Sequence, residues 1–231
     1  MIESQPCCRH CKKQCVKNGR SKSGAQRYYC KPCKKYFQLN YVYNACRYNT
    51  GRWIVSLTIE SCGIRSIARL LKIAVATVVR RIKKISKTIQ RPFFILKGKE
   101  YELDEMRTYI GNKGRLYWIV YALCKDTKKV IDFKIGRRTA KTLQRVTDTL
   151  LLSEAKKIYT DGYALYQNLI PKEIHCRSSY RTNHIERKNL TIRTHLKRLS
   201  RKTICFSKSR EMLEACLKIY FWKRDFANNI S

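Results

Sequence analysis

Acidic residues are scarce in this chain, and long apolar runs are missing. Asp and Glu number 16 against 51 Lys and Arg, for a formal net charge of +35. A balance this one-sided repels itself, and a polyanion relieves it. Nucleic acid is the first partner implied, because neutralising phosphates releases counterions. No apolar run approaches the ~18 residues that span a bilayer, so no membrane partner is expected. The opening stretch, MIESQPCCRH, lacks the apolar core of a signal peptide, so a cytoplasmic, nucleoid-associated chain is the expectation. In that reducing compartment the 12 cysteines read as metal ligands and buried free thiols, not as a disulfide framework.

The shortage of acids is uneven. Glu3 and Glu60 are the only ones before Glu100, and then Lys99-Glu100-Tyr101-Glu102-Leu103-Asp104-Glu105 brings four within six residues. A basic binding half is followed by one that tolerates carboxylates. The seam is expected near Arg91-Pro92, where proline interrupts a helical pattern. Three domains are expected: a zinc ribbon over 1–45, a helix-turn-helix over 46–92 and a catalytic domain over 93–231.

Cys8-Arg9-His10-Cys11 and Cys30-Lys31-Pro32-Cys33 form two C-x2-C pairs. Two thiolates on one tight turn reach one ion, and two such turns complete a tetrahedral shell. One structural Zn2+ on Cys8, Cys11, Cys30 and Cys33 is the expectation, with Cys7 an alternative to Cys8. Gln26-Arg27-Tyr28-Tyr29 reads as a strand leading into the second pair, and Tyr36 and Phe37 are placed to cover the site.

Helical spacing follows. Arg52–Ser61 is one apolar segment; Ile64, Ile67, Ala68 and Leu71 form a second; Val75, Val78, Val79 and Ile82 form a third after a break at Lys72-Ile73-Ala74. Two short helices about a tight turn suit a helix-turn-helix, although the turn lacks the usual glycine. The second helix would offer Thr77, Arg80, Arg81 and Lys84 to the major groove.

From residue 101 strands and helices alternate. Strands are expected at Tyr101–Ile110, Leu116–Cys124, Val130–Ile135, Lys157–Thr160 and Glu173–Cys176, with bends at Gly111–Gly114 and Lys125–Lys128. Helices are expected at Ala140–Leu152, with Thr139 as N-cap, at Tyr163–Leu169 and from His184 to about Leu199. This α/β order fits a ribonuclease-H-like domain with a mixed sheet. Within the first strand Glu102, Asp104 and Met106 share one face and Glu105 faces the other way. Asp161 ends the fourth strand. Glu186 lies in the most basic stretch and opens a helix face that continues through Asn189, Arg193 and Lys197 at i, i+3, i+7 and i+11, a metal ligand followed by groups able to hold DNA. Single carboxylates so placed in a DNA-binding chain are the parts of two-metal phosphoryl chemistry, and oxygen ligands favour Mg2+.

The paired C-x2-C, the helix-turn-helix, Leu103-Asp104-Glu105-Met106, Gly136-Arg137-Arg138-Thr139, Tyr159-Thr160-Asp161-Gly162, and Asn183-His184-Ile185-Glu186-Arg187-Lys188-Asn189-Leu190 running into Arg198–Ser209 together resemble the transposases of the insertion sequence 1 family, over nearly the whole chain. Asp161 and Glu186 have 24 residues between them, as that pattern requires, and Arg193 matches its basic position. The resemblance implies that Asp104, Asp161 and Glu186 are catalytic ligands of a pair of Mg2+ ions. It implies binding to terminal inverted repeats, cleavage at the element's ends and joining of the freed 3′-hydroxyls to target DNA. A homo-oligomer on DNA is also expected. The competing expectations are a non-enzymatic DNA-binding regulator and a simple ribonuclease-H-like nuclease.

Overall fold

The computed structural model describes residues 6–22, 24–39, 43–92, 97–178 and 181–223. The described chain divides into two compact units. The first runs to Thr50 and takes in Leu71–Ile73; the second holds Gly51–Leu70 and the described residues from Ala74 onward.

In the first unit, β1 (Val16–Arg20), β2 (Gln26–Cys30) and β3 (Lys35–Phe37) form an antiparallel sheet in that order. β2 starts at the strand expected from Gln26-Arg27-Tyr28-Tyr29 and delivers Cys30 at its end. Tyr28 stacks on Phe37 across the β2–β3 pair, with centroids 5.7 Å apart.

Three helices follow, drawn almost wholly from the second unit: α1 (Thr50–Ile59), α2 (Ile64–Leu71) and α3 (Val75–Thr88). Where a glycine would be usual after α2, Lys72 takes φ +52° and turns the chain. Left-handed backbone costs a non-glycine residue about 1–2 kcal/mol, so this turn is held by its surroundings.

β4 (Glu100–Ile110), β5 (Asn112–Cys124), β6 (Val130–Gly136), β7 (Lys157–Thr160) and β8 (His175–Arg177) then build one sheet in the order β6-β5-β4-β7-β8. β5 is antiparallel to both β4 and β6, while β7 runs parallel to β4 and β8 parallel to β7. The sheet is therefore mixed, and the architecture is α/β. The bend expected over four residues shrinks to Gly111 alone. At φ +82° it adopts backbone that glycine reaches at little cost, and pairing resumes at Asn112.

α4 (Ala140–Leu152) covers one face. Leu143, Val146 and Leu150 are fully buried at helical spacing against Leu103, Val120 and Ala122. Each such side chain contributes about 2 kcal/mol of apolar burial. Thr139 stands at the N-cap, but its hydroxyl faces that of Thr142 at 3.2 Å and makes no capping bond. α5 (Asn183–His195) and α6 (Arg210–Trp222) serve the other face. Tyr121 of β5 stacks on Phe221, and the Trp222 indole donates to the Val130 carbonyl at 2.9 Å. With both faces covered, the central strands show near-continuous burial in place of alternation.

α6 has no counterpart among the sequence expectations. Its buried residues, Met212, Leu213, Ala215, Cys216, Leu217, Ile219 and Tyr220, occupy nearly every side, which blurs the helical period. Ser209 caps it, the hydroxyl accepting from the Met212 N–H at 3.2 Å.

The seam expected near Arg91-Pro92 is not a break in packing. α3 lies along α6, with Lys83 paired to Glu211. Arg91 Nη1 donates to buried Asp132 at 2.6 Å and to Thr149 at 3.1 Å. Residues 93–96 lie outside the described residues. Among the described residues no helix is long and apolar enough to cross a membrane.

Candidate active site

Two ligand clusters stand out, one in each unit. In the first unit Cys8, Cys11, Cys30 and Cys33 bring their sulfurs within 4.8 Å of one another. Cys8–Cys33 is 3.9 Å and Cys11–Cys30 is 3.5 Å. A zinc–sulfur bond of about 2.3 Å implies tetrahedral edges near 3.8 Å, so the donor set fits Zn2+. Cys8 is buried in the cluster, while Cys7 is exposed and bridges to Gln14. The Cys8 thiol falls to about 6, chiefly because the Cys11 and His10 backbone N–H groups favour its thiolate. Cys33 is pushed up to about 12, first by its hydrogen bond with Cys11. Cys15 is a fifth thiol beside the cluster, itself buried and raised to about 11, first by desolvation.

In the second unit, sheet register does the assembling. Leu103 of β4 pairs with Thr160 of β7, so the next residues, Asp104 and Asp161, come side by side. The group whose carboxylate oxygens lie within 4.8 Å of one another is Asp104, Asp161 and Glu105. Glu186 is outside it, exposed in the first turn of α5, where Thr182 Oγ1 donates to it at 3.2 Å.

Glu102 explains how α5 is seated. It is fully buried and shares the strand face of Asp104. One of its oxygens accepts the Ile185 N–H at 2.7 Å, and the other meets His184 Nδ1 at 2.6 Å. A carboxylate on the unsatisfied N–H groups of a helix start acts as a cap supplied from the sheet. It fixes the turn that carries Glu186.

Asn189 was expected to meet DNA. Its amide is committed instead: Nδ2 donates to Asp104 Oδ2 at 2.7 Å, and Oδ1 accepts from the buried Tyr121 hydroxyl at 2.9 Å. The residue supports a carboxylate. Asp104 is raised above the usual carboxylate range by burial first and then by the charges of Asp161 and Glu186; the Glu105 N–H and the Asn189 amide oppose this. Such a site gains from a cation, and its oxygen donors suit Mg2+.

Glu105 does point away from Asp104's partners, toward α4's side of the sheet, but it is no bystander. It is buried, one of its oxygens joins the cluster, and Arg138 pairs with it at 3.4 Å.

The helix face foreseen for α5 ends early. α5 stops at His195, and Lys197 sits in a separate 3-10 turn, Lys197–Leu199, exposed but off the face. Arg193 is half-buried and donates to the Leu199 carbonyl at 3.0 Å. It lines a cleft of about 650 Å³ with Glu186, Asn189, Leu190, Thr194, Ser200 and Arg201. Burial first, then Arg201, lowers Arg193 below its ordinary value, so an anion here would be welcome. On α3, Arg80 and Lys84 are exposed and Arg81 is half-buried. Thr77 is buried beside Val78 on the apolar side, which corrects the expectation that it faces DNA.

Three contributors escaped the sequence reading. Glu102 lay in plain view on the Asp104 face. Tyr121 was hidden in an apolar run, and Arg138 appeared only as part of a motif.

Carboxylates gathered on a mixed α/β sheet, with a basic helix laid against its central strand, are the equipment of a DDE nucleotidyl transferase. The family profile described as IS1 transposase matches residues 100–227, more than half of the chain. The chain belongs to the IS1 transposase family. The insertion element iso-IS1n protein InsB of Shigella dysenteriae is 37% identical over 125 residues, covering 54% of this chain and 95% of that protein. The insertion element IS1 protein InsB of Shigella flexneri is 38% identical over 119 residues, covering 52% and 91%. Among solved structures, the HTLV-2 integrase catalytic core domain in complex with magnesium covers 55% of this chain and 84% of its own, at 14% identity and a TM-score of 0.35. That likeness is too slight to argue from.

Proposed function

We propose that this transposase binds the terminal inverted repeats of its own element, cleaves at the element's ends and joins the freed 3′-hydroxyls to target DNA. The observation that carries the proposal is the convergence of Asp104 and Asp161 beneath a helix that presents Glu186 and is pinned by Glu102 and Asn189. Asp104, Asp161 and Glu186 are the residues that would hold Mg2+. Two such ions supply an activated hydroxyl or water and a stabilised leaving oxygen at phosphorus. Tyr121 and Asn189 orient Asp104, the Tyr163 N–H holds Asp161 at 3.0 Å, and Glu102 sets the depth of Glu186. Arg193 and Arg201 line the adjoining cleft, where a DNA phosphate would balance their charge.

The strand order, with only its second strand reversed, supports a ribonuclease-H-like reading of this domain. We assign three functional parts: a zinc ribbon over 1–45 holding one structural Zn2+ on Cys8, Cys11, Cys30 and Cys33, a helix-turn-helix over 46–92, and the catalytic part over 93–231. The exposed basic edge of α3, with Arg80 and Lys84, reads the terminal repeats, and Arg81 and Lys197 add phosphate contacts. The protein acts on nucleoid DNA as a homo-oligomer.

The test is direct. Purified protein and Mg2+ are incubated with DNA that ends in the element's own termini. Nicks at the 3′ ends and joined products are the expected result. Binding without either product would favour a DNA-binding regulator, and nicks that never lead to joining would favour a simple nuclease.

A further inference from the structure

We propose that Arg138 is a phosphate-binding residue of the cleavage site, reaching the DNA from the side of the sheet opposite α5. Glu105 is its positioning partner. The proposal rests on the reading of Asp104 and Asp161 as the metal-holding carboxylates.

Arg138 lies in the short loop between β6 and α4. Its guanidinium sits over two rings, 4.6 Å from the centroid of Trp118 and 3.6 Å from that of Tyr163. Along one edge, Nε and Nη2 each lie 3.4 Å from an oxygen of Glu105. Rings and carboxylate together leave the group little freedom. The loop itself is tight: a Cβ on Gly136 would meet the Thr142 hydroxyl at 2.5 Å.

Two features separate this arrangement from a plain buried ion pair. Nη1 has no hydrogen-bond partner among the described residues, and the Arg138 side chain keeps 32% of its exposure while that of Glu105 keeps 1%. One edge of the fork is thus anchored and a donor is left over. The location is the second feature. One carboxylate oxygen of Glu105 lies within 4.8 Å of one oxygen each of Asp104 and Asp161. A fixed guanidinium matches phosphate oxygens, and a donor locked before the reaction costs no reorganisation when charge builds at phosphorus. Arg193 lines the cleft beside Glu186 and Asn189 on the α5 side, and Arg138 pairs with Glu105 on the α4 side. A phosphodiester between them would meet a cation on each flank.

The experiment reads binding, so it does not depend on turnover. Terminal DNA carrying a neutral methylphosphonate at each phosphate in turn is bound to the full chain in Ca2+. The parent protein should lose roughly ten- to hundredfold in affinity at one phosphate beside the cleavage position, the range of a charge-assisted hydrogen bond. Arg138→Lys should shrink that loss. Arg138→Ala strands a buried carboxylate and risks the fold, so the decisive variant is Glu105→Gln with Arg138→Gln, which removes both charges together. In that folded double variant the same methylphosphonate should cost nothing further. An unchanged profile in the double variant would overturn the proposal and leave Arg138 as a counter-ion to Glu105. Failure of the wider reading looks different: the parent would neither bind nor cut unmodified termini, and the present proposal would fall with it.

Discussion

The thiol cluster and the carboxylate cluster were both readable as metal sites, yet they are built in opposite ways. Cys8 and Cys11 sit on one turn, and Cys30 and Cys33 on another. The chain needs only to bring two nearby turns together, and the four sulfurs close on one point. The carboxylates come from β4, β7 and α5, and their meeting depends on strand register and on the seating of a helix. The result is open: Asp104 and Asp161 are close, while Glu186 stands apart at the edge of a cleft. A closed shell of local ligands suits a structural ion, and an open set of distant ligands leaves room for substrate.

The comparison breaks most visibly at Cys30, the most buried of the four sulfurs. Cys30→Ser should unfold the ribbon, because binding free energies of about 10–16 kcal/mol are folding free energy for structural zinc sites of this kind. Elemental analysis should give about one zinc per parent chain and less in the variant. A zinc-free ribbon that stays folded would remove the structural-metal reading.

Next in size is the loss of chemistry. Asp104→Asn, Asp161→Asn and Glu186→Gln keep shape and remove charge. Each should lower end cleavage and strand transfer roughly a thousandfold or more, as expected for groups that act in the transition state. Binding to terminal DNA should change little. If Glu186→Gln keeps near-parental cleavage, its distance from the other two carboxylates is real in the working enzyme and the third ligand lies elsewhere. Glu105→Gln should fall between these variants and the parent, because it frees Arg138 without removing a proposed ligand.

The smallest effect sharpens the electrostatic side of the contrast. Asp104's folded value is raised above its model-peptide value of 3.8. For a carboxyl raised in the folded state, the extra proton affinity favours folding fully below the unfolded value, and that gain is lost as pH climbs through the folded value. Mg2+ competes with the same proton. The rise in thermal midpoint caused by Mg2+ should therefore grow as pH climbs above 3.8. Asp104→Asn should flatten that growth. A pH-independent rise in both proteins would mean that the ion binds away from Asp104.

The strands of the larger sheet were legible as short β-rich runs between turn signals, and α3 and α4 by apolar residues at helical spacing, while β1 and β3 were not foreseen. α4 runs over Ala140–Leu152, the span its spacing implies. Asp104 and Asp161 were legible as ends or centres of strands in an otherwise acid-poor chain. Reading failed where a side chain's duty is set by a neighbour far along the chain. Asn189 reads as an exposed polar residue on a basic helix, yet Tyr121, 68 positions away, and Asp104, 85 positions away, claim its amide. Thr77 reads as a groove contact until the helices around it bury it.

The sequence by itself determined the basic character, the two cysteine turns, and the order of strands and helices from α1 to α5. Composition and short-range periodicity carry that information, because charge and local spacing do not depend on what packs where. Only the tertiary structure decided that Cys8 and not Cys7 enters the thiol cluster, that Glu102 caps α5, that Asn189 serves Asp104, and that Glu105 holds Arg138 beside the carboxylates. Those assignments rest on burial and strand register, which set the partners of a polar group by removing it from water and leaving one neighbour in reach.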